Sequence, residues 1–333
     1  MTLRKTFHLA FWGSLLAFAL YLGIGFGTFL LHGVAPSQPQ TLTIPPGTPF
    51  SAVARQLESR GIVESGTKLK LLARIRGNGG RVQAGEYLFV DKASPDQILA
   101  RLVAGDVVRR RFTIPEGLTI KEIAARLEAE GVTAAPPFIA LATDPALAGS
   151  LGIDGESLEG YLFPETYTFS AGVSPRDLLG AMVEQFRARQ TPELLAAAQE
   201  RGLTLHQLVT LASIIQKEAG NNEEMPLISA VFHNRLKRGI PLQADPTVIY
   251  GIENFDGNLT RLHLTTPSAY NTYRMAGLPR GPIANPGEEA LQAAAFPASV
   301  TYLYFVSRGD GTHKFSDTLK EHNQAVRRFQ LHR

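Results

Sequence analysis

Glu218 closes an apolar segment, Leu-Ala-Ser-Ile-Ile-Gln-Lys-Glu-Ala-Gly (211–220), and is the side chain best placed to move a proton. On a helical wheel at about 100° per residue it falls near Leu211 and Ile214, so its carboxyl leans toward the apolar face. Desolvation there disfavours the charged form and raises the pKa, the property a general acid needs near neutrality. Lys217 is turned away on the same wheel and reads as solvated, not as an ion-pair partner. Two further runs follow closely: Val-Phe-His-Asn-Arg-Leu (231–236) and Pro-Leu-Gln-Ala-Asp-Pro-Thr-Val-Ile-Tyr-Gly (241–251). Asp245, in the second run, is the natural candidate for a second carboxylate. An Asp before Pro serves as a turn or cap residue, or it orients a substrate and steadies positive charge; both readings fit. Glu223 and Glu224 read as the acidic first turn of the next helix. His233, His263, His313 and His322 lack metal-ligand spacing, so surface or capping roles are expected.

Three more clusters accompany these runs: Glu-Gly-Tyr-Leu-Phe-Pro-Glu-Thr-Tyr (159–167), Thr-Thr-Pro-Ser-Ala-Tyr-Asn-Thr-Tyr (265–273) and Gly-Leu-Pro-Arg-Gly-Pro-Ile-Ala-Asn-Pro-Gly (277–287). Aromatic faces can stack on pyranose rings, and amides or hydroxyls can pair with ring substituents. Proline-fixed loops hold such groups still. Each cluster alone could be a structural turn; together, beside an acid-tipped apolar helix, they suggest a saccharide site.

These clusters need elements to carry them. The chain has 333 residues, 44% apolar and 19% charged, the balance of a globular protein and long enough for two or three units plus an anchor. A net charge of +3 is too small to argue for nucleic acid. With no cysteine, disulfides and thiol chemistry drop out. No metal or cofactor motif is found, and none is expected to be needed. Residues 6–32 read as a transmembrane helix: Arg4 and Lys5 precede a stretch from Thr6 to Leu31 without Asp, Glu, Lys or Arg. The alternative is a cleaved signal peptide, but the stretch is too long and Gly33-Val34-Ala35 is a poor cleavage site. The positive-inside rule puts residues 1–5 in the cytoplasm and the rest outside the inner membrane, in the periplasmic or extracytoplasmic space.

Residues 33–40 read as an extended linker. An internal repeat follows at a spacing of 70 residues: Leu42-Thr-Ile-Pro-Pro-Gly47 with Val53–Leu57 and Gly61 recurs as Phe112-Thr-Ile-Pro-Glu-Gly117 with Ile123–Leu127 and Gly131. Each copy predicts a strand, a Pro-Gly turn and a Gly-closed helix. Gly85–Val90 predicts a strand, and Ser94–Ala104 a helix behind a Ser-Pro cap. Residues 41–109 resemble a small LysM-like βααβ module, for which glycan contact and a spacer role both fit. Arg109, Arg110 and Arg111 read as a solvated strand edge. Residues 110–333 mix helices with short strands, ending in a strand over Tyr302–Val306 and a helix from Leu319. The fold class is α+β.

The half from about 112 to 333 resembles the YceG-like family, membrane-bound endolytic murein transglycosylases. The resemblance is carried by the five long motifs around Glu159, Glu218, Asp245, Tyr273 and Asn285, with Tyr-Leu-Tyr-Phe-Val and Glu-His-Asn near the end. It implies that Glu218 is the catalytic acid. It also implies non-hydrolytic cleavage of the β-1,4 bond between N-acetylmuramic acid and N-acetylglucosamine, giving 1,6-anhydro ends and ending nascent strands. Ala219 and Gly220 stand where relatives often have Thr after the acid, a departure of small expected effect on the acid itself. Guided by the resemblance, Gln243, Asn271 and Asn285 are expected to contact acetamido or hydroxyl groups, with Thr247 in the same substrate-binding run. Tyr250, Tyr273 and Phe163 are expected to line the cleft, while Glu165 is either a turn residue or a sugar contact. The implied partners are glycan strands, the membrane and peptidoglycan synthases of the penicillin-binding class. Two rivals stand beside this reading: a muramidase-type hydrolase using Glu218 and Asp245, and a non-catalytic glycan-binding scaffold.

Overall fold

The computed structural model describes residues 2–331, with side chains described from Phe11 onward. Met1 of the expected tail and residues 332–333 of the expected catalytic part lie outside the described residues. The chain divides into two units, Met1–Arg111 with Thr168–Val173, and Phe112–Tyr167 with Ser174–Arg333. The fold is mixed α+β, the strands among the described residues being arranged as three two-stranded sheets.

In the first unit, α1 (Thr2–Leu31) is one uninterrupted helix, so residues 2–5 of the expected tail continue the helical span. Its last turns are not free: Phe26, Phe29 and Leu30 pack into the core of this unit. The segment after it is pinned where Val34 and Ala93 exchange backbone hydrogen bonds of 3.2 Å. Strands β1 (Gln40–Ile44) and β2 (Gly85–Phe89) pair antiparallel with Leu42 opposite Tyr87. Leu42 and Ile44 on one strand and Tyr87 and Phe89 on the other face the core, the period-two alternation of a half-buried sheet. Between them lie α2 (Phe50–Ser59) and α3 (Gly66–Ile75), and after them α4 (Pro95–Ala104). The expected Ser-Pro cap of α4 is present as a capping box between Ser94 and Gln97, and Gly105 closes the helix in the left-handed conformation. The unit boundary falls within the paired strands β3 (Arg109–Thr113) and β4 (Thr166–Ser170), and the three arginines of β3 are exposed.

The repeat is visible in the backbone. Gly47 and Gly117 share φ 77°, and Gly61 and Gly131 share φ 66°. Both turns need a left-handed residue, which a side chain disfavours, and both sequences supply glycine there.

The second unit holds α5 (Ile120–Ala129), α6 (Ala135–Ala142), α7 (Pro145–Ser150), α8 (Pro175–Ala188), α9 (Pro192–Glu200) and α10 (Leu205–Glu218). A 3-10 turn over Asn222–Glu224 leads into α11 (Met225–Lys237), followed by α12 (Asp245–Tyr250), α13 (Arg261–Thr265) and α14 (Glu288–Ala295). The hairpin β5 (Tyr304–Ser307) and β6 (His313–Ser316) and the helix α15 (Leu319–Phe329) end the chain. The ladder with β6 starts at Tyr304, later than the expected Tyr302, because Tyr304 is the residue that faces Ser316.

Helix α10 is the axis of this unit. A capping box between Thr204 and Gln207 starts it, and every residue from Leu208 to Ile215 is buried. It packs on α14, α11, α12 and α9, which cover it on several sides. Ser213 and Thr210 survive in this apolar setting because their hydroxyls bond helix carbonyls at 2.7 Å. Truncating Leu211 to Ala would cost about 2–5 kcal/mol, the range for an emptied core site.

Candidate active site

Glu218 is the last residue of α10, carried out of the apolar core by the helix on which α9, α11, α12 and α14 pack. Its carboxyl opens onto a cavity of about 500 Å³ whose other lining residues include Arg235, Gln243, Asp245, Tyr273, Phe305 and His313. Desolvation, and then the negative charge of Asp245, push its pKa up to about 8. The C-terminal end of α10 is the negative pole of the helix, which works in the same direction. At neutral pH this carboxyl is mostly protonated. Lys217 is exposed and donates to the Gly117 carbonyl at 3.2 Å, away from the acid.

Asp245 is the first residue of α12 and is exposed to the cavity. Tyr273 donates a 2.5 Å hydrogen bond to its Oδ1. The Tyr273 hydroxyl has its own pKa raised, first by burial and then by that bond, so it stays a donor. Gln243 is exposed on the same wall and holds the left-handed backbone, φ 55°, a conformation that costs a side-chain-bearing residue about 1–2 kcal/mol. It is fixed there by its own N–H to the Thr272 carbonyl at 3.1 Å and by Arg235.

Arg235 is the residue that sequence reading passed over. It is buried, with Nε on the Leu303 carbonyl at 2.7 Å. Its Nη1 reaches the carbonyls of Pro241 and Leu242 and the Gln243 side chain at 2.9–3.1 Å. Its guanidinium lies 5.1 Å from the Tyr304 ring centre. One cation thus ties α11, β5 and the 241–243 loop together behind the cavity. The signal was in the sequence: Arg235 is in helical register with Ile228, Val231 and Phe232, the buried face of α11.

The hairpin wall is also tied to the acid's own helix. Asn221, just past α10, donates to the Gly311 carbonyl at 3.0 Å. Glu224 accepts from the His313 backbone N–H at 3.0 Å and pairs with His313 Nδ1 at 2.8 Å. The expected surface or capping role of His313 is therefore corrected: it is half-buried, lines the cavity, and is held by an acid distant in sequence. His322 also lines the cavity, its ring stacked on Tyr304 at 5.2 Å. Burial lowers its pKa, with the charge of Arg235 adding to the effect. His263 does cap, within the box that starts α13, and His233 meets the Ala294 carbonyl at 2.8 Å.

Of the expected substrate contacts, Gln243, Asp245 and Tyr273 line the same cavity as Glu218. The others lie elsewhere, for physical reasons. Asn285 is fully buried: its amide donates to Leu118 O and Glu159 Oε1 and accepts from Leu162 N–H, at 2.8–2.9 Å. Asn271 is buried with its amide N–H groups on the carbonyls of His263, Leu264 and Thr266, while its oxygen accepts from Tyr273 N–H. Thr247 is buried between Ala244 O and Thr272 Oγ1. These three are buried and spend their donors on holding loops, and none of them lines the cavity. Phe163 is a core ring with the Arg189 guanidinium 5.3 Å away, and Glu165 pairs with that same Arg189 at 3.3 Å. Tyr250 donates to Glu159 at 3.1 Å and meets Tyr270 edge to face, away from the cavity.

Glu159 is a second buried acid that the sequence did not single out. Desolvation pushes it up to about 7, against the pull of its donors, the first N–H of α5 at Ile120, Tyr250 and Asn285. It faces α5, α12 and the 277–287 loop, and acts as a junction between them.

The sequence profile of the YceG-like family matches residues 42–328. The chain is 32% identical over 322 residues to an endolytic murein transglycosylase of Bacillus subtilis, covering 91% of this chain and 89% of that one. It is 28% identical to an endolytic murein transglycosylase of Streptococcus pneumoniae over 86% of its length, and spans 57% of that longer protein. A crystal structure of a YceG-like protein from Listeria monocytogenes superposes with a TM-score of 0.60 at 30% identity, covering 86% of this chain and 98% of that one.

Proposed function

We infer that this chain, which belongs to the YceG-like family, is a peptidoglycan lytic transglycosylase. The observation that carries the reading is Glu218, lining a cavity of about 500 Å³ with the pKa of its carboxyl pushed up to about 8, so that it holds a proton at neutral pH. The substrate is a glycan strand, cut at the β-1,4 bond between N-acetylmuramic acid and N-acetylglucosamine. Glu218 gives its proton to the glycosidic oxygen as that bond breaks. Its carboxylate then takes the proton of the muramyl C6 hydroxyl, whose oxygen bonds to C1 of the same ring and leaves a 1,6-anhydro end. Atoms balance without water. A held intramolecular hydroxyl can act at an effective concentration of roughly 10⁵–10⁸ M, enough to outrun solvent. Asp245, braced by Tyr273, would steady the positive charge that develops at C1 while raising the pKa of Glu218.

The apolar helix α1 fits a single-pass anchor of the cytoplasmic membrane, with an apolar span over Phe11–Leu31. The order β1, α2, α3, β2 supports a LysM-like reading of the first unit. Cutting close to the membrane suits an enzyme that ends nascent strands beside the glycan synthases.

The shared cavity of Glu218 and Asp245 also suits a two-carboxylate hydrolase. Digestion of murein in water labelled with heavy oxygen separates the two by mass spectrometry. Anhydro ends without label support the lyase; reducing ends carrying label overturn it.

A further inference from the structure

The uncharged stretch from Thr6 to Leu31 is longer than a bilayer requires. Its 26 residues rise about 39 Å against a hydrocarbon core of about 30 Å, a surplus of about six residues. The first unit absorbs that surplus, since Phe26, Phe29 and Leu30 pack into its core and Phe29 is 1% exposed. Immediately before them, Lys68 Nζ donates to the Gly25 carbonyl at 2.8 Å and lies 5.6 Å from the Phe29 ring centre. An ammonium group at the side of a membrane helix belongs at the headgroup level, not in hydrocarbon. Gly25 therefore marks the outer edge of the apolar layer, and α3, which carries Lys68, sits beside that edge.

The composition of α3 suits that position. Lys68, Leu71 and Ile75 fall on one stripe of the helix, which flanks the buried face of Leu69, Leu72 and Ala73. Leu71 is 49% and Ile75 64% exposed, an apolar pair with no cover in the first unit. From Gly66 to Arg81 the chain carries Lys68, Lys70, Arg74, Arg76 and Arg81 and no acid. Arg76 is engaged by Asp96 at 3.1 Å, while Arg74 is exposed beside the apolar pair. Whatever the tilt of α3, Ile75 is at most about 10 Å along it from Lys68, so the stripe stays close to the membrane surface. Apolar side chains flanked by basic ones are the composition of a helix lying in an anionic interface.

We propose that α3 is an interfacial helix that seats the first unit on anionic phospholipid, with Leu71 and Ile75 among the upper acyl chains and Lys70 and Arg74 on lipid phosphates. The proposal rests on the reading of α1 as a membrane anchor. It makes the segment 33–40 a short loop inside a docked unit instead of a tether that sets reach.

The absence of cysteine makes the test direct. Single variants Leu71→Cys, Ile75→Cys, Leu16→Cys in the anchor and Leu262→Cys on the second unit are labelled with a fluorophore. Each full chain is then reconstituted in phosphatidylglycerol-rich vesicles carrying acyl-chain spin labels. Labels at 71 and 75 should be quenched severalfold more than at 262. That quenching should weaken in pure phosphatidylcholine or when Lys70→Glu and Arg74→Glu are added. Quenching at 16 with none at 71 and 75 overturns the proposal and leaves the anchor standing. No quenching at 16 removes the anchor reading itself. Quenching at 71 and 75 that ignores lipid charge overturns the assignment to anionic lipid.

Discussion

Tyr273 donates a 2.5 Å hydrogen bond to Asp245, and the charge of that braced Asp245 helps to keep a proton on Glu218. The second carboxylate of the cavity therefore acts on the first through the field. Asp245→Asn removes the charge, so the pKa of Glu218 falls from about 8 toward its ordinary value. The alkaline limb of the pH–kcat/KM profile should move to lower pH, alongside any loss in rate. An unmoved limb would show that the two carboxyls do not couple.

Glu218→Gln keeps the shape of the side chain and removes the proton donor. Strand cleavage should fall by at least about 10²–10⁴-fold, the range for loss of a general acid. The stability effect has a defined sign. A carboxyl with a folded pKa of about 8 against 4.5 unfolded binds more protons folded, so stability falls as pH rises between those values. The variant escapes that loss. Its melting midpoint relative to wild type should be higher at pH 8 than at pH 5.

Asn285→Ala strips donors from Leu118 O and Glu159 and an acceptor from Leu162 N–H, all in the core. Leaving such groups unpaired should cost about 2–4 kcal/mol, read as a lower denaturation midpoint. With a helpful donor gone, the pKa of Glu159 rises above about 7, so the stability deficit should widen as pH rises through neutrality. At a temperature where the variant stays folded, KM should be near wild type, because Asn285 does not line the cavity.

Arg235→Met removes a cation that four acceptors share and leaves three carbonyls and the Gln243 side chain without it. A loss of about 2–5 kcal/mol is expected from calorimetry. Because the left-handed Gln243 loses one of its two restraints, KM should rise as well, which separates this variant from Asn285→Ala.

Much of this protein could be read from the one-dimensional chain. Local signals, each contained within a few residues, fixed the elements: the uncharged N-terminal stretch, the glycine-closed repeats, the Ser-Pro cap, and the period of α10 that turns Glu218 toward the apolar side. Those are nearest-neighbour properties of the backbone, and they give the helix that delivers the acid. The walls around it were another matter. Polar type alone made Asn271, Asn285 and Thr247 look like substrate groups, yet each is enclosed by carbonyls and hydroxyls of loops that meet only on folding. The same process brought His313 onto Glu224 and placed Arg235 behind Gln243. Burial and hydrogen-bond satisfaction depend on which distant segments share a space, so a side chain's chemistry is written in the sequence while its availability is set by the packed chain.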